Sequence, residues 1–266
     1  MEFTTQLIII LFLFGIISGF LASLTGTSGG TINVPVLTVF FNIAIQEAID
    51  TSILIILITS SVALIIFLKQ KRCNLKIALI FSIFSILGSF ISSVIFSFYP
   101  LESIVLKIIF SSLLIIIAIN LILKDYFQKS RENKLDENSY QQENNNDLKR
   151  DVQRGIPFFI LSGFVANFLG IGGGVINTPA LNIIVGYPIH FSTATSTAIV
   201  FFTALFNAII KMMNGQINFI LGIILSIGGI IGSIMGAHVS NKISGKKLQV
   251  FVMIFLIFLA ILMLFK

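Results

Sequence analysis

The chain reads SGFLASLTGTSGGTINVPVL at residues 18–37 and SGFVANFLGIGGGVINTPAL at residues 162–181. The two stretches share 11 of 20 residues without a gap, and further matches recur at the same spacing of 144 residues. Such a repeat is too long for a solenoid or propeller unit, and it is typical of transporters built from two related halves. We therefore divide the chain into two repeats, residues 1–123 and 156–266, joined by the polar segment 124–155.

The composition excludes an ordinary soluble domain. Hydrophobic residues make up 56% of the 266 residues, charged residues 11%, and the mean hydropathy is +1.03. A soluble domain carries roughly 25% charged residues. Ten apolar stretches follow one another, and most approach the ~20 residues with which a helix crosses a bilayer, but the second stretch of each half is shorter. The sequence thus predicts an all-α polytopic membrane protein.

The net charge of +6 comes from basic residues that lie almost wholly between the apolar stretches. This placement reports orientation in the membrane, not a nucleic-acid partner, and it puts the segment 124–155 in the cytoplasm. Five spans per half would turn the second half upside down and give an inverted repeat, which we favour because such repeats supply access from both sides. Four spans per half with a re-entrant second segment is the alternative. We expect the protein in the plasma membrane.

Three further features of the sequence do not indicate a binding or catalytic role. The segment 124–155 is rich in Asn, Gln, Glu and Lys and is expected to be a mobile tether between the halves. Glu2 and no basic residue precede the first apolar run, so we expect a retained first helix. The single cysteine, Cys73, lies in a basic loop and is expected to be inert.

Each half contains a glycine-rich break followed by an asparagine and a proline. Glycine permits close approach and positive φ, and proline suits the start of a helix, so each break should separate two half-helices. Free amides at a helix start attract anions, whereas close packing through small residues is the alternative use. We predict that the breaks line a substrate site through Gly29, Gly30, Asn33, Gly173, Gly174 and Asn177.

A Thr–Ser pair stands at the head of the third segment in each half: Thr51 and Ser52, then Thr195 and Ser196. These hydroxyls are candidates to donate to the same anion, and bonding between helices is an equally good interpretation. His190 precedes the second pair and is a candidate for proton coupling, with a simple turn histidine as the alternative.

Other chemistry has weaker support. Residues 26–30 read GTSGG, which would make Ser28 a nucleophile with His190 or His238 as base. The second half has glycine at the position equivalent to Ser28, so the repeat retains a backbone shape and not a hydroxyl. No metal-ligand cluster, dinucleotide motif or phosphate loop occurs in the sequence, so we expect no cofactor, and transport driven by a gradient or by the substrate's own potential. Charged residues near segment ends should lie at the membrane interface, namely Glu47, Asp50 and Lys211.

The motifs have a familiar combination. GIGGGVINTPAL at residues 170–181 with HFSTATST at 190–197, and more weakly GTSGGTINVPVL at 26–37 with EAIDTSIL at 47–54, resemble the sulfite exporter TauE/SafE family of integral membrane proteins. The resemblance implies a secondary transporter of sulfur-containing anions such as sulfite, sulfoacetate or other organosulfonates. Substrates vary within that family, so the individual substrate does not carry over.

The sequence therefore predicts a small-anion site between the two halves, near the middle of the lipid bilayer, with transport by one half rocking on the other. A passive anion channel with the same donors is the alternative, and a membrane-embedded serine hydrolase is a remote one. A coupling proton or ion and a homodimer are both compatible with the sequence.

Overall fold

A computed structural model of the chain describes residues 5–26, 29–99, 101–128, 145–240 and 245–265. Every regular element within these residues is helical, which confirms the predicted all-α class. The helices of the first half are α1 (Thr5–Thr25), α2 (Gly30–Pro35), α3 (Ile45–Lys69), α4 (Leu75–Phe98) and α5 (Ser103–Gln128). Those of the second half are α6 (Asn145–Leu169), α7 (Gly174–Ala180), α8 (Ile189–Met213), α9 (Phe219–Val239) and α10 (Gly245–Phe265).

Six of the described helices are long and apolar enough to cross a membrane. They are α1, α3, α4, the Val152–Leu169 part of α6, α8 and α9. Large apolar side chains such as Ile83 and Phe90 are more than half exposed on the outside of the bundle, where lipid would cover them. The chain is an integral membrane protein.

The second helix of each half is short and irregular. A π-helical turn continues α2 through Val36–Phe40 and α7 through Leu181–Val185. Each turn follows the proline near the end of its short helix, Pro35 or Pro179. A proline lacks an amide hydrogen and crowds the carbonyl four residues earlier, so it interrupts the α-helical hydrogen bonding within each short helix.

Local conformation follows the sequence repeat. The helices α3 and α8 each have 25 residues and begin at equivalent positions of the two halves. Positive φ angles also recur at equivalent positions, at Gly26 and Gly170, Asn42 and Gly186, and Lys71 and Gly215. The inverted arrangement of the two halves as whole bodies stays a prediction.

The two halves are interlocked. The first helix of each half packs along the fourth helix of the other, α1 on α9 and α6 on α4. Glycines make these contacts close: a Cβ atom on Gly15 would overlap the carbonyl oxygen of Leu225, and one on Gly163 would overlap that of Ser85. Small residues commonly bring membrane helices together in this way.

The pair of helices α3 and α8 forms the centre of the bundle. They are antiparallel, as shown by the contact of Asp50, near the start of α3, with Lys211, near the end of α8. We call the end at which α3 finishes the basic end, since it carries Lys69, Lys71 and Arg72. The end at which α3 begins is called the opposite end.

Candidate functional site

The two glycine breaks touch each other inside the bundle. Gly30 lies so close to the other break that a Cβ atom there would overlap the carbonyl oxygen of Gly170. Gly26 lies against α7 and α8, and its carbonyl oxygen accepts a hydrogen bond from Thr178 Oγ1 at 3.2 Å. The starts of the two short helices are thereby brought to one place.

Two asparagines near this junction are buried without partners. Asn33 is 2% exposed and Asn177 is 0% exposed, each within the first turn of its short helix. Within the described part of the chain, neither the amide nitrogen nor the amide oxygen of either side chain has a hydrogen-bond partner. Leaving a buried polar group unpaired costs about 1–3 kcal/mol, so folded proteins rarely do it without a reason. The two unpaired amides stand at equivalent positions of the two halves, and their role as ligands stays a prediction.

Backbone donors lie beside these amides. The N-cap residues of α2 and α7 are Gly29 and Gly173, which supply no capping side chain. Asn33 Nδ2 lies 3.4 Å from the position that a Cβ of Gly29 would take, so this amide folds back over the start of α2. The first amides of a helix have no partner within it. The arrangement offers neutral donors to a small anion.

The serines of the Thr–Ser pairs hold the breaks. Ser52 Oγ donates to the carbonyl oxygen of Gly170 at 2.8 Å, and Ser196 Oγ donates to that of Gly26 at 3.2 Å. Each serine thus binds the first glycine of the other half's break. Both serines are fully buried.

The threonines hold helix starts. Thr51 Oγ1 accepts from the backbone N–H of Asn218 at 3.1 Å, and Thr195 Oγ1 accepts from that of Asn74 at 3.2 Å. Asn218 and Asn74 are the N-caps of α9 and α4. These contacts give the pairs a positioning role between the halves, and direct donation to an anion stays a prediction.

A difference between the two serine contacts gives a testable prediction. The Gly26 carbonyl accepts from both Ser196 and Thr178, whereas Ser52 is the donor found on the Gly170 carbonyl. Ser52→Ala should therefore lower stability by about 1–3 kcal/mol, because it leaves a buried carbonyl unpaired, and Ser196→Ala should lower it less. Thermal unfolding of the two variants in the same detergent measures this; equal losses would contradict it.

A small cavity lies on the basic-end side of the junction, among α1, α3, α8 and α9. Its polar lining consists of five hydroxyls, those of Ser23, Thr59, Ser60, Thr197 and Ser233. In the other half, the positions equivalent to Ser23 and Ala63 carry larger residues, Asn167 and Asn207. Their amides donate to Ser93 and Ser89 at 3.0 and 3.2 Å. The surroundings of the junction therefore differ at its two ends.

Comparison with known proteins shows the family to which the chain belongs. The model of the sulfite exporter TauE/SafE family matches residues 11–263. The chain belongs to this family. It is similar to probable membrane transporter proteins: YunE of Bacillus subtilis (29% identity, 74% of this chain and 75% of the relative) and MJ0441 of Methanocaldococcus jannaschii (27%, 77% and 73%). YdhB of Bacillus subtilis is 26% identical over 73% of each chain. No solved structure gives a significant match.

The protein is accordingly a membrane transporter of the TauE/SafE family, as the sequence motifs suggest. The histidines and the serine considered for proton coupling or catalysis lie in different parts of the chain. His190 is the second residue of α8 and is exposed, and its role in proton coupling stays a prediction. His238 is exposed near the end of α9, with Nδ1 2.8 Å from the carbonyl oxygen of Ile234. Ser28, the hypothetical nucleophile, lies outside the described residues.

One feature of this TauE/SafE protein was not found from the sequence. Asp50 and Lys211, expected separately at the membrane interface, form an ion pair with Nζ 2.8 Å from Oδ1, and Asp50 is buried. The available signal was two opposite charges near the ends of two long apolar segments. Their pairing depends on the antiparallel contact of α3 with α8, which the sequence does not reveal.

Cys73 gives a further prediction for this transporter. It lies in the loop between α3 and α4, where burial raises the pKa of its thiol to about 12 and a hydrogen bond with Thr195 lowers it by less. Since the thiolate is the reactive form, the reactive fraction at pH 8 should be about 10⁻⁴, against about 10⁻¹ for a thiol with a pKa of 9. Maleimide labelling should be slow at pH 7 and accelerate as the pH rises. Labelling as fast as that of a free peptide cysteine would contradict this.

Proposed function

We propose that this TauE/SafE protein is a secondary transporter of small sulfur-containing anions, such as sulfite, sulfoacetate or other organosulfonates. The family and its relatives support membrane transport, and the family description suggests the substrate class. The observation that carries the proposal is the pair of buried, unpartnered amides of Asn33 and Asn177 where the two breaks meet.

The chemistry of these groups suits an oxyanion. Sulfite and sulfonates present several oxygen acceptors around one small centre, and the asparagine amides with the first amides of α2 and α7 are donors. Hydrogen bonds to a charged group contribute about 1.5–3 kcal/mol each, more than bonds between neutral groups. In our proposal the Thr–Ser pairs, Thr51 with Ser52 and Thr195 with Ser196, keep these donors in place.

The interlocked packing suggests which parts move. Rocking of one sequence half on the other would separate α1 from α9 and α6 from α4, which are joined by close glycine contacts. We propose moving bodies drawn from both halves: α1, α3 and α9 against α4, α6 and α8. Because α2 packs on α3 and α7 packs on α8, each body carries one asparagine. Movement at the contact of α3 with α8 would then open and close the site.

In our proposal the hydroxyl-lined cavity, which reaches Gly26 at the junction, forms part of a polar route from the basic end. Irregular backbone within a membrane is tolerated where it lines such a space. In our proposal the hydrogen-bonded Asn167 and Asn207 close the equivalent route from the opposite end in this conformation.

Uptake of labelled sulfite and sulfoacetate into proteoliposomes, with and without an imposed proton gradient, tests the function. Saturable uptake that responds to the gradient supports a coupled carrier. Flux that rises linearly with concentration would favour the passive channel. Loss of function in the Ser28→Gly variant would favour the membrane-embedded serine hydrolase. Absence of flux for both anions would contradict the proposed substrate class.

A further inference from the structure

The ion pair of Asp50 and Lys211 lies within two membrane-spanning helices. Lys211 Nζ is 2.8 Å from Asp50 Oδ1, and the side chains are 17% and 10% exposed, respectively. It is the one ion pair that the structure shows among the residues it describes. Ionisable side chains in membrane spans are costly, and they generally have a functional reason.

The repeat itself shows that packing does not require these charges. The residues equivalent to Asp50 and Lys211 are Ala194 and Phe67, which lie at the basic end of the same helix pair. Both are fully buried in one apolar cluster. The contact between α3 and α8 is therefore made by an ion pair at one end and by apolar side chains at the other. Replacing a buried ion pair by apolar residues is often neutral or stabilising, so stability does not explain the charges.

The pair adjoins the second glycine break. Gly170 packs against the backbone of Ile49, immediately before Asp50, and its carbonyl accepts from Ser52. The hydroxyl-lined cavity approaches the junction from the basic end. Asp50 and Lys211 thus stand where a route from the opposite end would reach the same junction.

We propose that Asp50 and Lys211 form the anion entrance at the opposite end, in which Lys211 receives the anion once Asp50 is protonated. This inference rests on the proposed function. A proton from the solution at that end binds a carboxylate oxygen of Asp50, which weakens its pairing with the Lys211 ammonium. The ammonium is then available to an oxygen of the anion. When the anion moves on to the asparagines, Lys211 again attracts Asp50, and the proton returns to the same solution.

Few other titratable groups face this pair. On α3, Glu47 lies one turn before Asp50, and its Oε1 accepts from Asn218 Nδ2 at 2.8 Å. The described parts of α1 and α2 contain no titratable residue, α9 has His238 towards the basic end, and the titratable residues of α6 all lie in its first ten positions, 145–154, towards the basic end. At the opposite end, Tyr99 follows α4, Glu102 precedes α5, and Lys107 lies within α5. Asp50 is the carboxylate in direct contact with Lys211.

The test is the pH dependence of uptake into proteoliposomes. Sulfoacetate is measured beside sulfite because its ionisation hardly changes between about pH 6 and 8, both acidic groups having pKa values below about 4. The unaltered protein should slow by up to about tenfold per pH unit as the pH rises above the pKa of Asp50. Asp50→Asn should be fast at every pH, and Lys211→Gln should be slow at every pH. Glu47→Gln, which changes a neighbouring carboxylate on the same helix, should retain the dependence of the unaltered protein.

A double variant controls for folding. Asp50→Ala with Lys211→Phe reproduces the apolar pair of the basic end, so it should unfold at or above the temperature of the unaltered protein while transporting slowly. The inference is overturned if folded Asp50→Asn keeps the original pH dependence or is inactive throughout, or if the double variant transports normally. Absence of saturable flux in the unaltered protein would contradict the proposed function as well, which separates the two failures.

Discussion

Asn177→Leu should abolish most anion transport while leaving the empty protein as stable as before or more stable. Leucine has nearly the shape of asparagine and removes a buried amide that has no partner. Removing such a group should stabilise the ligand-free protein by about 1 kcal/mol. Loss of a donor to a charged ligand should weaken binding roughly tenfold to a hundredfold. Asn33→Leu should have the same effects. Uptake rates and thermal unfolding of the same preparations measure both.

A neighbouring asparagine provides the control. Asn182 lies in the π-helical turn after α7, and its Nδ2 donates to the carbonyl oxygen of Tyr187 at 2.7 Å. Asn182→Leu should lower stability, because it removes a bond that is made, and should leave the affinity for the anion unchanged. If Asn177→Leu transports at the original rate, or if it destabilises the protein as Asn182→Leu does, the assignment of Asn177 as a ligand is wrong.

Gly30→Ala should prevent the two breaks from meeting. The added Cβ would overlap the carbonyl oxygen of Gly170 and approach the Cα of Ile171, which are backbone atoms that cannot turn aside. Overpacking of a buried contact costs about 1–3 kcal/mol, and a backbone clash belongs at or above the upper end of that range. We expect a low yield of monodisperse protein, a lower unfolding temperature and no transport.

The preceding glycine is the matched comparison. Among the described residues apart from its chain neighbours, none comes closer than 3.4 Å to a Cβ on Gly29, and the φ angle of Gly29 is −60°. Gly29→Ala should therefore give protein with the yield and unfolding temperature of the unaltered chain. Similar behaviour of the two alanine variants would show that the breaks do not meet as described.

The sequence was informative where the cause is local. Glycine and proline restrict or free the backbone by their own chemistry, so the breaks before Gly30 and Gly174 could be predicted from residue type and recurrence. The same recurrence singled out Asn33 and Asn177. Whether their amides have partners depends on residues far along the chain, and only the structure shows that these amides are unpartnered.

Contacts between distant segments could not be predicted. The bond from Ser52 to Gly170 and the pairing of Asp50 with Lys211 depend on which helices become neighbours. A hydroxyl in an apolar segment satisfies the same sequence pattern whether it binds an anion or a carbonyl. The sequence therefore supports both anion binding and helix–helix bonding by the Thr–Ser pairs. The interlocking of the halves has no local signal either.

The packing of α1 on α9 has a consequence for biogenesis. A ribosome emits the first helix long before its partner: the residues in contact, such as Phe12 and Gly228, are about 200 positions apart, which takes roughly 10–40 s at 5–20 residues per second. Throughout that interval the glycine-lined face of α1 has only lipid or the insertion machinery against it. The N-terminal half therefore cannot complete its native packing until α9 has left the translocon.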